Sequence, residues 1–174
     1  MKKKNHKLLF LMGLLALVLA TPARANENFE GEWVTIRELS TALDPFRRIE
    51  LNIAVDGNRV VIDELFTAGR RFNAETYELN TKKKENIIPI TWWSANRHIG
   101  AYIGGDKTMR IQADWVDAGQ TLKLQSDYVL ATQQGETPVR TYTEYRLSRD
   151  GKRLTKLELR SSRPLPIVHV FERR

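Results

Sequence analysis

The chain has 174 residues, 28 Lys+Arg against 21 Asp+Glu, a formal charge of +7 and no cysteine. The lack of thiols excludes structural disulfides, a thiolate nucleophile and a lipidated-cysteine anchor. The charge is front-loaded: residues 1–25 hold five of the basic residues and none of the acidic ones, so 23 basic and 21 acidic residues leave 26–174 at +2, no footprint for nucleic acid.

Lys2, Lys3, Lys4 and Lys7 precede the apolar run Leu8 to Ala20, which ends at Thr21-Pro22 and the small-residue site Ala23-Arg24-Ala25. A basic start, a short apolar stretch and an A-x-A site predict a cleavable signal over residues 1–25. The apolar run is shorter than the roughly 20 residues that span a bilayer. The alternative is an uncleaved anchor; the A-x-A favours cleavage and no membrane anchor afterwards. With no cysteine, this reads as a bacterial exported protein, periplasmic or secreted. Residues 26–174 are then one domain, long enough for a proper core.

Beyond Pro45, period-2 alternation dominates. A short helical turn is expected only near "RELSTALDP", where Leu39, Ala42 and Leu43 precede Pro45. Ile49, Leu51, Ile53 and Val55 share one face against Arg48, Glu50 and Asn52, and Asp56-Gly57-Asn58 supplies a hairpin turn. The segment 70–86 is ambiguous between strand and helix. Its Lys82 to Lys84 run reads as a solvated loop. "YIGGDK" reads as a hairpin turn. Met109, Ile111, Ala113 and Trp115 alternate with Arg110, Gln112 and Asp114, and "DAGQ" then turns the chain toward Leu122 and Leu124. Val139, Thr141, Thr143, Tyr145 and Leu147 share a face. After "RDGK", Leu157 and Leu159 oppose Lys156 and Glu158, with the leucines expected inward. In the last strand Ile167, His169 and Phe171 oppose Val168 and Val170, which leaves His169 either inward or on the surface.

About ten amphipathic strands joined by short turns describe an antiparallel meander, each strand with one wet face. Closing such a meander hides its edges most completely, so the fold class is all-β, a barrel of about 8–10 strands. A two-sheet sandwich is the alternative, but it needs longer crossing connections.

Alternation through Ile88 and Ile90 places Trp92 inside, which sends Trp93 outward to the barrel rim. Trp92, Trp115, Tyr128 and Tyr145 are thus expected to line the interior, either as walls of a ligand cavity or as simple filling, with Trp93 a rim contact. Catalytic motifs are scarce: there is no G-x-S-x-G, H-E-x-x-H, P-loop or G-x-G-x-x-G. Past residue 25 the histidines are His98 and His169. His98 follows Asn96-Arg97 in a turn and reads as an exposed imidazole or, alternatively, a metal or haem ligand. Asp114, Asp127 and Glu144 fall on wet faces, so no carboxylate pair is expected inside the barrel. The sequence calls for no metal, no cofactor and no enzyme chemistry.

"FEGEW", Phe29 to Trp33, resembles the G-x-W motif that opens lipocalin and calycin-like barrels, and the tail from Arg146 looks like the terminal strands of bacterial lipocalin-like proteins. The resemblance implies that Trp33 closes one end of the barrel beneath an arginine of the last strand, Arg173 or else Arg174. It also implies binding or carriage of a small hydrophobic or amphipathic ligand. The alternative is an envelope interaction module, an inhibitor or assembly factor, whose barrel is filled by side chains.

Overall fold

The computed structural model describes residues 25–42, 45–94 and 100–174; the expected signal lies outside them apart from Ala25. The described residues form β1 (Gly31–Thr35), β2 (Arg48–Asp56), β3 (Arg59–Ala68), β4 (Arg71–Asn80), β5 (Asn86–Pro89), β6 (Tyr102–Ile103), β7 (Thr108–Val116), β8 (Thr121–Thr132), β9 (Gly135–Leu147), β10 (Arg153–Arg160) and β11 (Arg163–Arg173). Every pairing is antiparallel, in the order β4-β3-β2-β1-β11-β10-β9-β8-β7-β5, with β6 pairing the far end of β8. The first strand pairs with the last, so the meander curls into a nearly closed barrel.

The seam runs between β4 and β5. Asn86 bridges it: its Oδ1 accepts from the Asn80 N–H at 2.8 Å, and its Nδ2 donates to the carbonyls of Asn80 and Ile111 at 3.3 and 3.2 Å. One buried amide thus supplies partners that a ladder would otherwise provide.

The tight hairpin at Gly57-Asn58 joins β2 to β3 as expected, and Ile49, Leu51, Ile53 and Val55 are all buried. The ambiguous segment is strand β4, paired along its length with β3. Around Pro45 the expected helical turn reduces to a 3-10 turn at Arg37–Leu39; Leu43 lies outside the described residues. Serine and threonine hydroxyls hold this connection to β11 instead, with Ser40 Oγ accepting from the Val170 N–H and Thr41 Oγ1 from the Val168 N–H, both at 3.0 Å.

Aromatic clusters plug the two ends. At one, Trp33 is 1% exposed, donates from Nε1 to the Phe29 carbonyl at 3.0 Å, and lies under the Arg173 guanidinium at 4.3 Å. Gly31 explains the glycine of "GEW": its φ is +125°, and a Cβ there would stand 2.7 Å from Arg173 Nη1. A side chain at Gly31 would push the guanidinium aside. Arg173 then donates to the carbonyls of Asn28, at 2.6 Å, and Glu30. Trp115 joins this end, edge-on to Phe29 at 4.9 Å. At the other end Phe46, Phe66 and Trp92 meet edge to face, with centroids 5.1–5.6 Å apart.

Candidate functional site

Between the plugs the barrel is polar, which overturns the expected facing of β10. Lys156, Glu158 and Arg160 point inward and are buried, while Leu159 is 46% exposed. Hairpin register dictates this. Leu147 pairs with Leu154 across the turn, so Lys156 falls opposite Tyr145, Glu158 opposite Thr143 and Arg160 opposite Thr141, all on the inner face. Directly opposed residues share a face, and one slip would invert the whole strand.

The inward charges are matched. Glu64 of β3 is 2% exposed; it accepts from the Tyr145 hydroxyl at 2.7 Å and from Lys156 Nζ at 2.5 Å. Glu158 pairs with Arg160 Nε, and Arg160 Nη2 donates to Ser94 Oγ at 2.7 Å. Arg160 Nη1 is buried with no partner. On β4, Tyr77 donates to Glu75 at 2.6 Å. The interior therefore does hold carboxylates, from Glu64, Glu75 and Glu158. Of the three acids weighed from sequence, Asp127 is exposed and Asp114 half-exposed on the outer face. Glu144 also points outward, but it is buried against Tyr142 and Arg146.

Burial pushes the Tyr77 and Tyr145 phenols well above their usual range, and the Glu64 charge adds to this. Tyr128 is pushed up to about 12 by burial despite the pull of Arg160. All three remain neutral hydroxyls at ordinary pH. Burial also raises Glu75, against the lowering effect of its Tyr77 hydrogen bond. At Glu158 burial would raise the carboxyl too, but Arg160 and Lys156 together outweigh it and hold it below normal. Arg160 gains more from Glu158 than burial takes away and stays a guanidinium.

The expected aromatic lining divides. Trp92, Trp93, Tyr128 and Tyr145 border an interior cavity of about 60 Å³. Trp115 does not; it belongs to the Trp33 end. Trp93 is not a rim residue: it is 8% exposed, packs with Ile90, Tyr128, Leu130 and Val139, and donates to the Ala101 carbonyl at 3.3 Å. Alternation fails here because β5 ends at Pro89, so the two indoles lie beyond the strand. Both rings turn inward, Trp92 to Phe66 and Trp93 to Tyr128. Outside them lies a cleft of about 400 Å³ bordered by Thr91, Trp92, Trp93, Ala101, Tyr102, Ile103 and Lys107. The indole pair is the wall common to cleft and cavity. The cleft falls in the ~300–1,000 Å³ range of small-molecule sites, and the cavity has room for a few waters or a small polar group. His98 lies outside the described residues. His169 is inward and 4% exposed.

Tyr102, 71% exposed on β6, and the polar group around Arg160 escaped the sequence reading. The opposition of Leu147 to Leu154 was the available signal for the latter. No protein-family model matches the chain, and no curated protein matches it. A crystal structure of an abundant heat soluble (SAHS) protein from Ramazzottius varieornatus is similar, with a TM-score of 0.51 and 7% identity over 85% of this chain and 96% of that one. The likeness is one of fold alone. It agrees with the nearly closed antiparallel barrel that the strand order builds.

Proposed function

We propose that this is an exported, lipocalin-like barrel that binds a small amphipathic molecule by non-covalent contacts. The observation that carries this reading is the position of Trp92 and Trp93 between an apolar cleft and a buried polar cavity. The apolar part of the ligand lies against Trp93, Tyr102 and Ile103. Its polar end reaches toward the unpartnered Nη1 of Arg160 and the neutral Tyr128 hydroxyl. Purely hydrophobic cargo fits less well, since burying it in the barrel would strip water from charged groups with nothing in return. Export rests on the basic, apolar, A-x-A leader, and N-terminal sequencing of the exported protein should return Asn26.

The binding test is intrinsic tryptophan fluorescence titrated with anilinonaphthalene sulfonate, an amphipathic probe. Saturable quenching is expected, weakened in Tyr102→Ala, whose exposed ring is not needed for folding. A linear response, or one unchanged in both Tyr102→Ala and Ile103→Ala, defeats the reading. A second reading, an envelope interaction module, draws on the small size of the interior cavity. It predicts no probe binding and a stable complex with a protein partner.

A further inference from the structure

A separate pocket of about 90 Å³ lies where the β1–β2 connection crosses β11. Arg37, Arg47 and Arg48 border it, with Thr41 and His169. Glu50 holds Arg48 at 2.7 Å, and Arg37 and Arg47 have no carboxylate partner among the described residues. Thr41 Oγ1 already accepts from the Val168 N–H, which leaves its hydroxyl proton to donate elsewhere. His169 is 4% exposed and has a buried Nε2 with no partner. A buried polar atom without a partner costs stability unless something occupies the position it faces. Two unpaired guanidinium groups beside it define the sign of that occupant.

We propose that this pocket binds a small oxyanion of the phosphate class, held by Arg37 and Arg47 with the Thr41 hydroxyl and the protonated Nε2 of His169 as inner donors. Planar guanidinium groups match the oxygen spacing of such anions. Binding is coupled to proton uptake. In the empty pocket burial, then the positive charge of Lys156, holds His169 down to about 4, so its imidazole is neutral. The charged groups around the ring are Lys156, Glu158 and Arg160 from β10, and Arg37, Arg47 and Arg48 from the β1–β2 connection and the start of β2. Glu158 is engaged by Arg160, Lys156 by Glu64 and Arg48 by Glu50, so Arg37 and Arg47 leave the described surroundings net positive until an anion enters. The anion reverses that balance and favours the imidazolium, with Nε2–H then donating to it.

The test follows the His169 imidazole resonances by NMR as pH falls, in chloride and in inorganic phosphate at matched ionic strength, with His169→Gln to separate them from those of His98. A roughly tenfold preference of phosphate for the protonated form would move the His169 midpoint up by about one pH unit at saturation. The shift should vanish in Arg37→Gln/Arg47→Gln, two exposed positions whose replacement leaves the melting temperature unchanged. Co-sedimentation with phosphatidic acid vesicles, against phosphatidylcholine vesicles, identifies the source. Vesicle binding lost in the double variant assigns the oxyanion to a lipid headgroup, and a response to dissolved phosphate alone assigns it to a soluble ligand. Equal midpoints in chloride and phosphate together with no vesicle binding overturn the proposal, as does a double variant that responds like the wild type.

Discussion

Lys156 Nζ lies 2.5 Å from Glu64 Oε1, and the two side chains come from strands separated in the sheet by β2, β1 and β11. The contact therefore crosses the barrel interior. Tyr145 donates to the same Glu64 oxygen, so three strands meet at one carboxylate. Dehydrating both charges is costly, and their attraction offsets that cost only while both are present.

Removing one partner should be much worse than removing both. Lys156→Met alone should lower unfolding free energy by roughly 3–5 kcal/mol, because Glu64 is left buried without its cationic partner. Glu64→Leu with Lys156→Met should recover most of that loss, since an apolar pair of similar volume needs no hydration. Urea unfolding of the two single variants and the double variant measures the coupling. A double variant as unstable as the sum of the singles would show that the pair does not interact.

Trp33 should be among the most sensitive positions. Truncation removes a buried ring, the Nε1 hydrogen bond to Phe29 and the surface under Arg173. Trp33→Ala should cost roughly 3–5 kcal/mol. Gly31→Ala should also destabilise, because its Cβ would displace the guanidinium and must adopt a left-handed φ. Thermal melts of both variants check this; an unchanged midpoint in either would deny the plug its structural role.

Acid stability should depend on His169. Its folded pKa of about 4 lies below the unfolded value near ~6.5, so the unfolded state binds the extra proton. Stability should fall as pH drops from about 6.5 toward 4 and level off below that, with a total loss of up to roughly 3 kcal/mol. Glu158, held below normal, loses stability in the same direction as pH falls through its own lower range. Glu75, raised by burial, runs the opposite way, its contribution declining as pH rises through its folded pKa. Chloride-buffered unfolding of the wild type and His169→Phe isolates the histidine component, and a wild-type slope preserved in His169→Phe would assign the effect elsewhere.

Buried Trp93 should resist iodide quenching and half-buried Trp92 should be quenched only in part, since both rings turn inward. Trp93→Ala should cost roughly 3–5 kcal/mol as a buried indole rather than the ~0.5 kcal/mol of a surface change. Trp92→Ala should loosen Phe46 and Phe66, at about 0.5–1.5 kcal/mol for each edge-to-face contact beyond the lost area. Strong quenching confined to Trp93 would restore the rim position that simple alternation predicts.

Much of the barrel was legible from local pattern. Alternation in β2, β7, β8 and β9 identified the inner faces, because a strand with one wet side repeats every second residue whatever surrounds it. The G-x-W motif pointed to Trp33 and Arg173, and the turn residues marked the Gly57-Asn58 hairpin. Hydrophobicity misled where it competed with register. Leu157 and Leu159 look like core residues, yet pairing with β9 sends them out and brings Lys156, Glu158 and Arg160 in. Such charges are tolerated inside only because partners arrive from distant strands, with Glu64 lying 92 residues from Lys156. The indole pair escaped the same rule because the strand stops before it, and period-2 reasoning needs a strand. Local sequence determined which segments alternate and where they turn; closure of the barrel decided which charges meet inside it, because only closure brings β3 and β10 within a hydrogen bond of each other.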